Sequence, residues 1–198
     1  MACRDLFASR RGRLERSSAT VHPREQKGRL FGPSAIRGNF RAPLVAKWKS
    51  VTMFSWLFSD PLSVGTPAPD FSLPDENGRT VTLSTLRGHG VVLVFYPGDD
   101  TPGCTKQLCE FRDSWEAVRK RGLDLFGVNP QSPASHGKFR QKFRFPFPLL
   151  VDRGQKVGAL YHTNGLIVKR TVYLIGPDGV IRFARRGMPK PSEVLAAG

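Results

Sequence analysis

The chain of 198 residues is 39% apolar and 10% aromatic, enough to bury one core of ordinary domain size. Its longest apolar runs, such as Val91 to Tyr96, fall far short of the roughly 20 residues that cross a bilayer, so a soluble protein with no membrane partner is expected. The net charge of +15 is uneven: residues 1–52 hold 12 Lys and Arg against Asp5, Glu15 and Glu25, a net +9, and the remainder shows no basic stripe interleaved with aromatics, so nucleic acid is excluded as an expected partner.

Residues 1–52 are rich in Arg, Ser and Gly, poor in acid and without apolar period, which predicts a disordered basic extension. Two readings of it stay open: sequence upstream of a true start at Met53, which would leave the protein cytoplasmic, or a transit peptide directing it to a plastid or mitochondrion. Residues 53–198 form the expected domain. Phe71-Ser72-Leu73 and Val81-Thr82-Leu83 flank Asn77-Gly78 and predict an N-terminal β-hairpin. The unbroken run Val91 to Tyr96 predicts a strand covered on both faces. Cys104, Leu108, Phe111, Trp115 and Val118 recur at helical spacing and predict one helix with a single buried face, on which Cys109 points away.

Further along, Leu123 to Val128 predicts a strand. A helix follows, capped by Ser132 with Pro133 at its first position, its apolar face marked by Phe139 and Phe143 and its Lys and Arg solvated. Strands are expected over 147–151, 167–175 and 180–184, a short helix over 154–161, and another after Pro191. The order predicts an α/β fold with a mixed central sheet and helices on both faces, compatible with a thioredoxin-like arrangement.

Three cysteines make no disulfide framework. Cys3, in the basic extension, reads as an incidental thiol. Pro97-Gly98-Asp99-Asp100-Thr101-Pro102-Gly103-Cys104 is a tight loop from a buried strand into a helix, placing Cys104 in the first helical turn. Unpaired backbone N–H groups and the positive end of the helix dipole favour an anion there, so a reactive thiolate is expected, and Gly103 leaves room for a small substrate. A buried structural cysteine is the plainer alternative.

These residues resemble the peroxiredoxins, and among them the peroxiredoxin Q or bacterioferritin comigratory protein subfamily. The family's Pro-x-x-x-Thr/Ser-x-x-Cys loop stands here as Pro97, Thr101 and Cys104, the subfamily's second cysteine as Cys109, and the family's arginine as Arg170. The resemblance runs from about Leu62 to Ala197. It implies a thioredoxin-like fold and a peroxidase in which Cys104 attacks a hydroperoxide and Cys109 resolves the sulfenic acid as an intramolecular disulfide. Thr101 and Arg170 would bind substrate with Gly103, and Pro97 would wall the pocket. It further implies no cofactor or metal, a thioredoxin or glutaredoxin as reductant, and a monomer. Gln107 stands where many relatives have Glu, and Asn129-Pro130-Gln131 replaces a common Ser-x-Asp stretch; both bear on subgroup and reductant rather than on the redox step.

Three rival functions are weighed against this. A thioredoxin-class thiol-disulfide oxidoreductase would use Cys-x-x-Cys, whereas this chain reads Cys104-Thr-Lys-Gln-Leu-Cys109. A zinc module would need more ligands than His22, His89, His136 and His162, scattered singly, can supply. A redox sensor would use the same two cysteines, and only repeated turnover separates it from an enzyme.

Overall fold

The computed structural model describes residues 59–198. The basic extension, Cys3, the reading of residues 1–52 as leader or upstream sequence, and the domain start at Met53 lie outside the described residues. Within them, β1 (Ser72–Pro74) and β2 (Thr80–Thr82) pair antiparallel around a turn in which Gly78 takes a φ of +81°. A 3-10 turn over Leu83–Leu86 leads to β3 (Gly90–Phe95). Then come α1 (Pro102–Asp113), α2 (Trp115–Lys120), β4 (Leu123–Asn129), α3 (Pro133–Phe143) and β5 (Leu149–Val151). The chain closes with α4 (Lys156–Leu160), β6 (Thr171–Ile175), β7 (Ile181–Arg186) and α5 (Pro191–Leu195).

The sheet order is β5-β4-β3-β6-β7, with β3, β4 and β5 parallel and β6 antiparallel to both of its neighbours. All six residues of β3 are buried, because its side chains alternate between two covered faces. Val92 and Val94 join a core with Leu108 and Phe111 of α1, Val118 of α2, Phe139 and Phe143 of α3 and Val194 of α5. Val91, Leu93 and Phe95 join a second with Phe71, Leu73 and Leu83 and with Val157 of α4. This mixed sheet, with helices on both faces and a hairpin before it, is the expected fold.

Four details depart from the sequence reading. The helix expected from Cys104 to Val118 breaks at Ser114, whose φ and ψ of −98° and 9° end α1; the apolar spacing persists because Trp115 still packs on Phe147, ring centroids 5.9 Å apart. The strand expected from Ile167 begins only at Thr171, since Ile167 is exposed and the Lys169 N–H turns back to the Thr163 carbonyl. β5 begins at Leu149, after Pro148, which has no N–H to donate to a ladder. Cys109, expected to face outward, is only 3% exposed and belongs to the α1 core, because α1 buries far more than one stripe: Cys104, Thr105, Gln107, Leu108, Cys109 and Phe111.

The basic face of α3 is solvated as expected at Lys138, Lys142 and Arg144, with only Arg140 partly buried. Arg140 bonds the Phe145 carbonyl at 3.1 Å and pairs with Glu76, and Lys142 pairs with Asp100 at 2.6 Å. These contacts tie the hairpin and the loop before α1 to one helix.

Candidate active site

The site is assembled by the register of two strands. β3 delivers the chain to Tyr96 and Pro97, and the antiparallel pairing of Phe95 with Thr171 sets Arg170 beside that strand end. The loop then turns through Asp100, a non-glycine residue at a φ of +54°, into α1, with Thr101 as N-cap and Pro102 at the first helical position. Cys104 therefore lies in the first turn, as expected.

Cys104 is a fully buried free thiol, so in this structure it shares no disulfide with Cys109. Arg170 Nη2 lies 3.2 Å from its Sγ. The same guanidinium donates from Nη1 to Gln107 Oε1 at 2.6 Å, and Gln107 Nε2 reaches the Gly187 carbonyl at 3.5 Å. A cation held by a fixed fork of donors against a sulfur at a helix start can stabilise a thiolate and charge developing on an oxygen beside it. Gly103 lies beside this contact: a Cβ there would stand 3.4 Å from Arg170 Nη2, an ordinary contact distance.

Of the residues singled out from sequence, Cys104, Arg170 and Gly103 converge. Thr101 and Pro97 belong to the same loop; the Thr101 hydroxyl donates to the Gly98 carbonyl at 3.3 Å. Cys109 lies one and a half turns along α1 from Cys104. In the sequence Gln107 stands out only as a departure from pattern, although its place three residues after Cys104 puts it on the same helical face.

A second set of residues escaped the sequence reading. Asp99, its side chain 3% exposed, accepts from the Tyr96 hydroxyl at 2.8 Å and Asn129 Nδ2 at 2.9 Å through Oδ1. Through Oδ2 it accepts from the Ser135 hydroxyl at 2.6 Å and meets His136 Nδ1 at 2.8 Å. Burial raises the Asp99 carboxyl's proton affinity, but the bonds from His136, Ser135 and Tyr96 outweigh it and hold the group below the ordinary carboxylate value. Burial, with the Asp99 charge beside it, pushes the Tyr96 phenol well above its ordinary value, so it remains a donor. Tyr96 fits there because residue 127 is glycine: a Cβ at Gly127 would stand 3.1 Å from its ring. Only the buried phenol, which requires a partner, hinted at this cluster in the sequence.

Among the described residues, no group of three or more His, Cys, Asp or Glu could hold a metal ion, and no helix is long and apolar enough to cross a membrane.

Residues 64–184 match the model of the AhpC/TSA family. A chloroplastic peroxiredoxin Q of Oryza sativa subsp. japonica is 38% identical over 155 residues, 76% of this chain and 71% of the relative. Among solved structures, the peroxidoxin BcpB of Mycobacterium tuberculosis superposes with a TM-score of 0.65 at 33% identity, covering 69% of this chain and 96% of that one. Peroxiredoxin Q of Xanthomonas campestris does so with a TM-score of 0.61 at 30% identity, over 64% and 88% of the two chains.

Proposed function

Because the chain belongs to the AhpC/TSA family and is a peroxidase of the peroxiredoxin Q kind, we propose that Cys104 is its peroxidatic cysteine, Cys109 its resolving cysteine, and Arg170, Thr101, Gly103 and Pro97 the walls and donors of its peroxide pocket. The observation that carries this reading is the Arg170 guanidinium standing 3.2 Å from a free, buried thiol in the first turn of α1.

In the first step the Cys104 thiolate attacks one peroxide oxygen and the O–O bond breaks. Cys104 becomes a sulfenic acid, and the other oxygen leaves with the bonding pair and takes a proton to become water or an alcohol. Arg170 lies where it can donate to that leaving oxygen while its Nη1 stays held by Gln107. In the second step Cys109, present as a thiolate in the reduced protein, attacks the sulfenic sulfur, hydroxide departs as water after protonation, and a disulfide joins the two residues. A thioredoxin or glutaredoxin dithiol then reduces it and is itself oxidised. Hydrogen peroxide and organic hydroperoxides share the O–O bond that this step needs.

Residues 1–52 lie outside the catalytic domain in this reading. Their basic, acid-poor composition and the chloroplastic name of the rice relative favour an organelle address over a cytoplasmic one. The catalytic test is peroxide consumption by the full chain with a thioredoxin system, wild type against Cys104→Ser. Turnover in the wild type and none in the variant is expected, and substantial turnover in the variant would remove Cys104 from its role.

A further inference from the structure

The Pro97–Thr101 loop carries two of the proposed pocket residues, and of its two carboxylates Asp100 is exposed while Asp99 is buried. Asp99 Oδ1 and Oδ2 each accept two contacts, from Tyr96 at the end of β3, Asn129 at the end of β4, and Ser135 and His136 in the first turn of α3. Its own backbone N–H donates to the side chain of Gln131, and Gln131 N donates to Asn129 Oδ1 at 2.7 Å. Beyond Asp99, His136 Nε2 faces the Leu150 carbonyl at 3.2 Å. Both ring nitrogens of His136 thus meet oxygens that only accept. The loop is tied by one side chain to two strand ends and a helix.

We infer that Asp99 is a positioning residue for peroxide reduction, holding the Pro97–Thr101 loop in the register that sets Thr101 and Cys104 against Arg170. The inference rests on the peroxidase reading above and adds to it a residue that touches neither thiol nor substrate. Fixed geometry is what such a reaction requires, since the sulfur, the leaving oxygen and its donors must align at once. A buried network with every member satisfied supplies that rigidity, and no buried side-chain nitrogen or oxygen among the described residues lacks a partner.

The chemistry of the network sets a sharp test. In Asp99→Asn, the amide oxygen can accept from Tyr96 and Asn129, while its NH2 can donate to the Ser135 hydroxyl oxygen and to His136 Nδ1. The contacts are kept and the buried carboxylate charge is lost. In Asp99→Ala, the buried Tyr96, Asn129 and His136 and the partly buried Ser135 lose their partner.

The experiment follows Cys104 in the full chain by two reactions, hydrogen peroxide and iodoacetamide, with the alkylated peptide read by mass spectrometry. Alkylation needs the thiolate but not the aligned donors. Asp99→Ala should lose about tenfold to a hundredfold in the peroxide rate while changing alkylation by less than about threefold. Asp99→Asn should recover most of the loss. Tyr96→Phe, which deletes one hydroxyl without opening the core, should lose a few-fold in the peroxide rate alone, and it decides the matter if the alanine variant does not fold. A folded alanine variant at wild-type rate, equal losses in both reactions, an Asn variant as poor as the alanine, or an unchanged Tyr96→Phe would overturn the role. A wild type that reacts with iodoacetamide but consumes no peroxide would defeat the peroxidase reading, and this role with it.

Discussion

Arg170 Nη1 donates to Gln107 Oε1 at 2.6 Å, so the cation facing the thiol is aimed by a neutral amide three residues along the same helix. The contact orients without neutralising. Gln107→Ala should free the guanidinium to rotate away from Cys104 and lower kcat/KM for peroxide by about tenfold. Gln107→Glu places an acceptor at the same point and should lose far less. Steady-state peroxide consumption measures both; equal losses would mean that the amide matters for something other than its oxygen.

Arg170→Lys keeps the charge but cannot bond Gln107 and the sulfur from two nitrogens of one rigid plane. A loss of about a hundredfold in kcat/KM is expected, in the range found for removing one aligned donor from an anion site. Stopped-flow oxidation of Cys104 checks it, and near wild-type rates would place the working cation elsewhere.

Formation of the Cys104–Cys109 disulfide requires α1 to open. Both residues lie in one regular helix, five positions apart, which sets their Cα atoms roughly 8 to 9 Å apart, whereas a disulfide needs less than about 7 Å. Since both side chains are buried in the same core as Leu108 and Phe111, opening also exposes apolar surface, which leaves the oxidised form easily reduced. Hydrogen exchange over residues 103–115 should be faster in the oxidised protein. Equal protection in the two states, with the disulfide confirmed by mass spectrometry, would contradict this.

Asp99 should shape acid stability. Its carboxyl is depressed in the folded protein relative to roughly 3.9 in an unfolded chain. The stability it contributes is therefore fully present above that unfolded value and is lost as pH falls through the lower folded one. Melting temperatures of the wild type should drop on acidification below about pH 4, and Asp99→Asn should show a shallower acid limb. Parallel curves would mean that the folded carboxyl is not depressed.

Deleting residues 1–52 should leave thermal stability and peroxide consumption unchanged, because that segment has no apolar period with which to join either core. Calorimetry and turnover of residues 53–198 check this. Fused to a fluorescent protein, the same segment should concentrate fluorescence in an organelle; diffuse signal would return the protein to the cytoplasm.

Strand and helix order was legible because periodicity reports burial: the run 91–96 could only be a strand covered twice, and Cys104 could only start a helix after Pro102. Boundaries were less so. Ile167 looks like strand because it is apolar, but pairing needs free backbone partners, and Lys169 spends its N–H on a turn. The burial of Cys109 depends on which elements pack around α1, a tertiary fact that one helix's periodicity does not contain. The Asp99 cluster was hidden for the same reason. Its members come from the ends of β3 and β4 and the start of α3, up to 37 positions from Asp99, and nothing local marks Asn129 or His136 as partners of a loop aspartate.

β7 closes one side of the sheet order and carries Arg182, Arg185 and Arg186 along its six residues. An outermost strand offers unpaired backbone groups to any other extended chain, and like charges at close spacing make that offer costly to accept. Two copies meeting edge to edge through β7 would bring six guanidinium groups together, four of them already paired with Asp178 or Glu193. The strand that completes the fold thus also resists continuing into a neighbour, which would suit the proposed cycle, in which α1 opens and exposes apolar surface.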